Sequence, residues 1–290
     1  MGLTQSSVWL HDGGGDRQVS LEGYAFAPKF TPDGTRLLYQ VRKGAASELW
    51  VAKLDSGRSE PLLPGLAVAL EGTAGAEGAY DISPDGRQVV VVSADGGGKS
   101  RLWLAPLDRR SPPRQIPNIE GGQPVFGATG EVFFHGVEGT SAFLYRVRED
   151  GGGLRKAIDS SIVGISGVSP DHNWLALASR GRLVIFRVDG GAPLQTGTSG
   201  NTAVRWSGDG KHLFWHNPPT SRDKTYVFPL TPGRSLPESF TRGLPSEQEI
   251  VKLPGVRVIA SSDVAPGRTA DTYAFTRESV QRNLYRIPVP

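Results

Sequence analysis

Apolar residues in this chain gather into short runs separated by glycine- and proline-bearing turns. The combination returns at spacings of roughly 40 to 55 residues, the period of propeller blades. The clearest turns are Phe30-Thr31-Pro32-Asp33-Gly34 and Ile82-Ser83-Pro84-Asp85-Gly86. Looser copies stand at Val168-Ser169-Pro170-Asp171-His172-Asn173 and Trp206-Ser207-Gly208-Asp209-Gly210, and degenerate ones at Phe126-Gly127-Ala128-Thr129-Gly130 and Val264-Ala265-Pro266-Gly267. In such a turn proline presets φ, Asp bonds back to nearby backbone, and Gly takes the position that needs positive φ. After Val168, Asn173 is expected to stand in for the glycine, because Asn tolerates that conformation.

The run after each turn (Arg36–Tyr39, Val89–Val92, Val132–Phe134, Leu175–Leu177, Leu213–Trp215, Tyr273–Phe275) is apolar throughout and does not alternate. That predicts a strand buried on both faces, as blades stacked around an axis require. A third strand follows, as at Leu49-Trp50-Val51, Leu102-Trp103-Leu104, Leu144-Tyr145, Leu183–Phe186, Tyr226–Phe228 and Leu284–Ile287. Short polar segments such as Glu60–Leu63 and Arg114–Ile116 suit the outer edge, where proline is tolerated. No segment of useful length has a helical period. The expected fold class is all-β: a six-bladed β-propeller of four-stranded antiparallel blades, one domain over residues 1–290.

One third strand is surplus: Val8-Trp9-Leu10, followed by Gly13-Gly14-Gly15 and an edge-like Arg17–Ser20. Ring closure accounts for it most simply, with N-terminal residues completing the blade begun near Tyr273–Phe275 and removing free sheet edges. A seventh blade, with its first half outside this chain, is the alternative.

The (Ser/Thr)-Pro-Asp-Gly turns, each leading to an apolar strand and then a Leu-Trp or Leu-Tyr strand, resemble the TolB-type (WD40-like) propeller family from about Val8 to Pro288. The resemblance implies the fold and leaves function wide. That family includes a periplasmic propeller that binds protein partners, and propellers attached to bacterial sensors, kinases and transcriptional regulators. Others gate prolyl-oligopeptidase-like enzymes, which need a hydrolase domain with Gly-x-Ser-x-Gly, a pentapeptide that does not occur here.

Composition narrows the classes further. The formal net charge is +3 with no clustered basic stripe, so nucleic acid is not an expected partner. The chain has no cysteine, which excludes disulfides, thiolate zinc sites and thiol nucleophiles. The N-terminus lacks a basic region followed by an apolar stretch, and no run approaches a bilayer span. The expectation is a monomer with no membrane insertion, cytoplasmic as given although relatives are often periplasmic, and detached from a larger bacterial sensor or regulator.

Innermost strands line a propeller's channel, so the residues just before the turn hydrophobes are channel candidates: Lys29, Asp81, Val125, Gly167, Arg205 and Asp263. The charged four, Lys29, Asp81, Arg205 and Asp263, could bind a polar ligand or a cation, or neutralise one another around ordered water. His135 and His216 end second strands on the face expected to carry the channel mouth. With Asp81 and Asp263 they form a candidate divalent-metal set that would activate water, although they stand two blades apart. His11, His172 and His212 read as solvent-facing. Gly96-Gly97-Gly98-Lys99-Ser100 leads into a strand rather than a helix and reads as a hairpin tip, not a phosphate loop. The tryptophans read as blade core, with Trp215 beside His216 the one candidate for a ligand box. The long loops Gly65–Gly78 and Thr231–Pro254, the second placed between the fifth and sixth blades, are expected to carry the binding surface.

The reading these features favour is a non-enzymatic recognition propeller that takes a protein segment or a small ligand at the channel mouth, with no cofactor. The alternative is a metal-dependent hydrolase of an ester, lactone or phosphotriester, with a divalent cation in the channel.

Overall fold

The computed structural model describes residues 2–70, 78–127, 130–190, 193–199, 203–216, 224–242, 247–262 and 264–282. Its strands begin with β1 (Gly2–Asp12) and β2 (Gly15–Gln18), whose partners lie at the far end of the chain. Blade one is β3 (Ala25–Phe30), β4 (Arg36–Lys43), β5 (Ala46–Lys53) and β6 (Ser59–Pro61). Blade two is β7 (Tyr80–Ile82), β8 (Gln88–Ala94), β9 (Ser100–Pro106) and β10 (Arg114–Gln115). Blade three is β11 (Gly122–Phe126), β12 (Glu131–Glu138), β13 (Ser141–Arg148) and β14 (Arg155–Ser161). Blade four is β15 (Gly164–Val168), β16 (Trp174–Ser179), β17 (Arg182–Arg187) and β18 (Leu194–Ser199). Blade five is β19 (Ala203–Trp206), β20 (His212–His216), β21 (Thr225–Pro229) and β22 (Arg257–Ile259). The sixth begins with β23 (Val264–Pro266) and β24 (Tyr273–Arg282).

The last sheet reads β2-β1-β24-β23, so N-terminal residues supply its third and fourth strands and the ring closes at six blades. Strand β1 runs antiparallel to β24 from Gly2 opposite Arg282 to His11 opposite Tyr273. Val8, Leu10 and Val19 are buried by this pairing, which leaves β24 no free edge. The expected strand at Leu284–Ile287 lies outside the described residues.

The apolar second strands are buried on both faces, Val89 to Val92 completely, and the cores lie between neighbouring blades. Tyr80 crosses from blade two to blade one, where its hydroxyl donates to the carbonyls of Ala27 at 2.6 Å and Leu38 at 3.0 Å. Each clear turn repeats one bonding scheme. In blade two the Ser83 hydroxyl donates to Asp85 Oδ1 at 2.6 Å, Arg87 N–H to Asp85 Oδ1 at 3.0 Å, and Gln88 N–H to Ser83 Oγ at 2.9 Å. The same scheme serves Thr31 and Asp33, Ser169 and Asp171, and Ser207 and Asp209.

Two expectations are corrected. In blade four His172, at φ 55°, and not Asn173 takes the left-handed position held elsewhere by Gly34, Gly86 and Gly210. Aligning the turns on their hydroxyl residue puts His172 in the glycine's slot, while Asn173 N–H donates to Asp171 Oδ1. The segment after Thr231 does not join blades five and six. It runs within blade five from β21 to β22 and carries two short helices, α1 (Glu238–Arg242) and α2 (Glu247–Ile250). Phe240 and Ile250 are buried in blade five's core, with the Phe240 ring 5.4 Å from Phe228 and 6.0 Å from Trp215. This segment is therefore a packing element, and Trp215 is a core residue. Helices this short show no period in a sequence. Among the described residues no helix is long and apolar enough to cross a membrane.

Candidate functional site

Because the inner strands all run the same way, the turns that follow them gather at one end of the propeller. There a cavity of about 250 Å³ opens between the turns of blades one, two, four, five and six. Pro28, Pro32, Pro84, Pro170 and Pro266 contribute apolar surface to its wall, and Trp206 lines it as well.

The charged part of the wall comes from the strand ends. Lys29 on β3 and Asp81 on β7 form an ion pair at 3.1 Å, their side chains only 18% and 16% exposed. The other Asp81 oxygen accepts the Phe126 N–H at 2.8 Å, so one carboxylate ties together blades one, two and three. Lys29 also stands 5.5 Å from the centre of the Tyr80 ring. Arg205 on β19 donates from Nη1 to the Val264 carbonyl at 3.1 Å, linking blades five and six. Charges this far from solvent persist only with such partners.

His172 belongs to the same wall. Its Nδ1 lies 3.0 Å from the Phe126 carbonyl, which bridges blades four and three. A carbonyl only accepts, so Nδ1 carries a proton, and Nε2 is an acceptor when the ring is neutral and a donor when it is charged. In blade six the turn holds Arg268, an exposed residue whose carbonyl accepts the Asp209 N–H at 2.8 Å. The wall hydroxyls are committed: Thr31 donates to Asp33 and Ser169 to Asp171, each at 2.5 Å. Burial works to raise the Asp33 and Asp171 carboxyls, but these hydroxyl bonds and the backbone N–H groups outweigh it and hold both below the ordinary value.

No family model matches the chain, and no curated protein does. Among solved structures it is similar to a TolB-type protein from Agrobacterium tumefaciens, with 17% identity and a TM-score of 0.66 over 95% of this chain and 99% of that one. It is also similar to TolB from Acinetobacter baumannii, with 16% identity and a TM-score of 0.60 over 78% of this chain and 61% of that one. The fold is that of a TolB-like β-propeller. An oligogalacturonate lyase in complex with manganese is similar as well, with 15% identity and a TM-score of 0.57 over 93% of this chain and 82% of that one. Identities this low speak for the fold alone.

In this TolB-like propeller the candidate residues divide between two ends. Lys29, Asp81 and Arg205 meet at the cavity, and Asp263 lies outside the described residues. His135 and His216 pair with Gly122 and Ala203, the first residues of their inner strands, whereas Asp81 and Arg205 stand next to last in theirs. The histidines are thus set towards the opposite end from the carboxylate they were grouped with. Burial lowers the His135 pKa and favours its neutral form. His216 is buried, with Nδ1 2.9 Å from the Lys224 carbonyl. Among the described residues no group of three or more His, Asp or Glu side chains could hold a metal ion. Val125 is buried in the core between blades three and four rather than facing a channel. Much of the Gly65–Gly78 loop, residues 71–77, lies outside the described residues.

Sequence reasoning missed two wall residues, His172 and Arg268. His172 was visible as a histidine in the glycine slot of the repeat. Arg268 follows a degenerate turn and carried no such signal.

Proposed function

We propose that this TolB-like propeller is a non-enzymatic recognition module that takes a protein segment or a small ligand into the cavity at its turn end. The observation that carries this reading is the convergence of side chains from five blades on one small cavity, with Lys29, Asp81, His172 and Arg205 each bonded to a neighbouring blade. Groups held in this way form a preorganised template, which lowers the ordering cost of binding. A volume of about 250 Å³ suits a side chain or a small molecule. The proline surface and Trp206 offer contact for its apolar part. Resemblance to propellers attached to bacterial sensors and regulators fits such a role. The hydrolase reading draws less support, since His135 and His216 stand towards the end remote from Asp81.

The test begins with peptides selected from a random library and small acids, amides and sugars from a screening panel, each taken for binding to the wild-type chain. Val168→Trp, which adds bulk to the cavity wall, should abolish that binding. Binding that survives in the filled variant, or a selection that yields nothing, refutes the proposal.

A further inference from the structure

A second concavity of about 600 Å³ lies on the flank of the propeller, between blades three and four. We infer that this groove binds a single-chain amphiphile with a monoanionic head. One wall is β14, the outermost strand of blade three, and the other is the face of blade four made by β16 and β17. The pairing of β13 with β14 advances two residues on one strand, from Tyr145 to Phe143, and five on the other, from Lys156 to Ser161. This bulge takes Ile158 and Asp159 out of the regular ladder and makes them groove wall. The opposite wall is ordered by strand register: Ser179 stands opposite Arg182, Leu177 opposite Val184, and Leu175 opposite Phe186. One end of the groove is therefore polar, with Arg180, Arg182 and Asp159. Beyond it the lining is apolar, along Ile158, Leu177, Val184 and Phe186. The four residues from Arg182 to Phe186 span about 13 Å.

The polar end decides the head of the ligand. Arg180 and Arg182 are exposed, and neither side chain has a hydrogen bond or ion pair among the described residues. The Ser179 hydroxyl is committed, donating to the Ser161 carbonyl at 2.7 Å. Two guanidinium groups against the one Asp159 carboxylate leave a single positive charge in excess. A monoanion balances it and matches a guanidinium fork, whereas a dianion would be set against Asp159. The apolar end decides the tail. Ile158 and Val184 are half-buried beside the buried side chains of Leu177 and Phe186, and an alkyl chain laid along them leaves water without stranding a polar group. A polypeptide fits less well, because its backbone N–H and C=O groups would meet this apolar wall unpaired. The β14 bulge also interrupts the even ladder that an added strand needs. The groove and the turn cavity share no lining residue, so the inference does not rest on the recognition reading.

The test titrates decanoate, octanoate, decanol and decyltrimethylammonium into the full chain by calorimetry, each below the concentration at which it forms micelles. Decanoate should bind, about tenfold tighter than octanoate for the two methylenes it adds to the apolar wall. Decanol and the cationic amphiphile should bind at least about tenfold more weakly than decanoate, lacking the ion pair. Arg180→Gln combined with Arg182→Gln should weaken decanoate by about tenfold while leaving Tm and decanol binding unchanged, since both side chains are exposed and unbonded. Val184→Trp, which fills the apolar part of the groove, should abolish decanoate binding. Val184→Thr keeps the shape of the wall and should weaken decanoate several-fold, which covers the case of a larger variant that does not fold. The competing occupants, a polypeptide and a membrane surface, are represented by acetyl-Asp-Val-Leu-Val-amide and by vesicles of phosphatidylglycerol. The inference is overturned if decanoate does not bind, whichever of these does, or if decanol or the cationic amphiphile binds as tightly as decanoate. It is overturned equally if the double arginine variant binds decanoate like wild type, or if neither Val184 variant weakens it.

Discussion

Gly167→Ala is the sharpest test of how the blades are fitted together. Gly167 sits on β15, where that inner strand packs against β19 of the next blade. A Cβ added there would stand well under 3.0 Å from the Val204 carbonyl oxygen and 3.2 Å from its carbon. The obstacle is backbone in a neighbouring strand, so it cannot be relieved by turning a side chain, and the two blades must separate. Overpacking of this kind costs about 3 kcal/mol at the upper end of the usual range. Gly167 does not have a positive φ, so alanine also contributes an opposite, stabilising effect of about 0.4–1 kcal/mol by restricting the unfolded chain. The net expectation is a loss of ~2 kcal/mol. At about 2–4 °C per kcal/mol for a chain of this size, Tm should fall by roughly 4–8 °C. Urea titration should show a lower midpoint with an unchanged slope, since the surface exposed on unfolding is the same. Gly96→Ala is the control: its Cβ would meet nothing within 4 Å, and it should leave Tm unchanged or slightly raised. A Gly167→Ala protein as stable as wild type would refute the close approach of β15 and β19, and with it the packing that positions Arg205.

Other consequences are equally open to measurement. Asp85→Ala removes the acceptor of the Ser83 hydroxyl and Arg87 N–H bonds and should lower stability by ~1–2 kcal/mol in chemical unfolding; an unchanged midpoint would contradict the turn scheme. Asp33, Asp85, Asp171 and Asp209 are all held below the ordinary aspartate value by their turn bonds. Their stabilisation is complete above the unfolded value near 4 and is lost as pH falls through the lower folded values. Tm should therefore be flat from neutrality to about pH 5 and drop steeply below about 4, with a shallower drop when all four are changed to Asn; an identical acid profile in that variant counts against the linkage. Leu10, 2% exposed on β1, should cost about 2–5 kcal/mol as Leu10→Ala. Deleting residues 1–20 should expose the β24 edge to hydrogen exchange at Tyr273–Thr276, and continued protection there would refute the ring closure.

What the sequence by itself determined is the repeat. Proline, aspartate and glycine specify a turn through bonds made within a few residues, so the turns at Asp33 and Asp85 can be read without knowing their surroundings. Continuous apolar runs such as Val89–Val92 mark strands buried on both faces for an equally local reason. Six such units with a stray strand at Val8–Leu10 left ring closure or a seventh blade, and the pairing of β1 with β24 decided for closure. Tertiary structure alone decided what Lys29, Asp81, His172 and Arg205 meet, because their partners lie some 40 or more residues away in other blades. Asp81 looked like a ligand carboxylate until Lys29 and Phe126 were seen to occupy both its oxygens. His172 looked like a solvent-facing turn residue until the Phe126 carbonyl was found holding its ring at the cavity wall. Phe240 looked like part of a variable loop until blade five closed over it. The local pattern records which strands form, and only their packing around the axis sets which side chains converge.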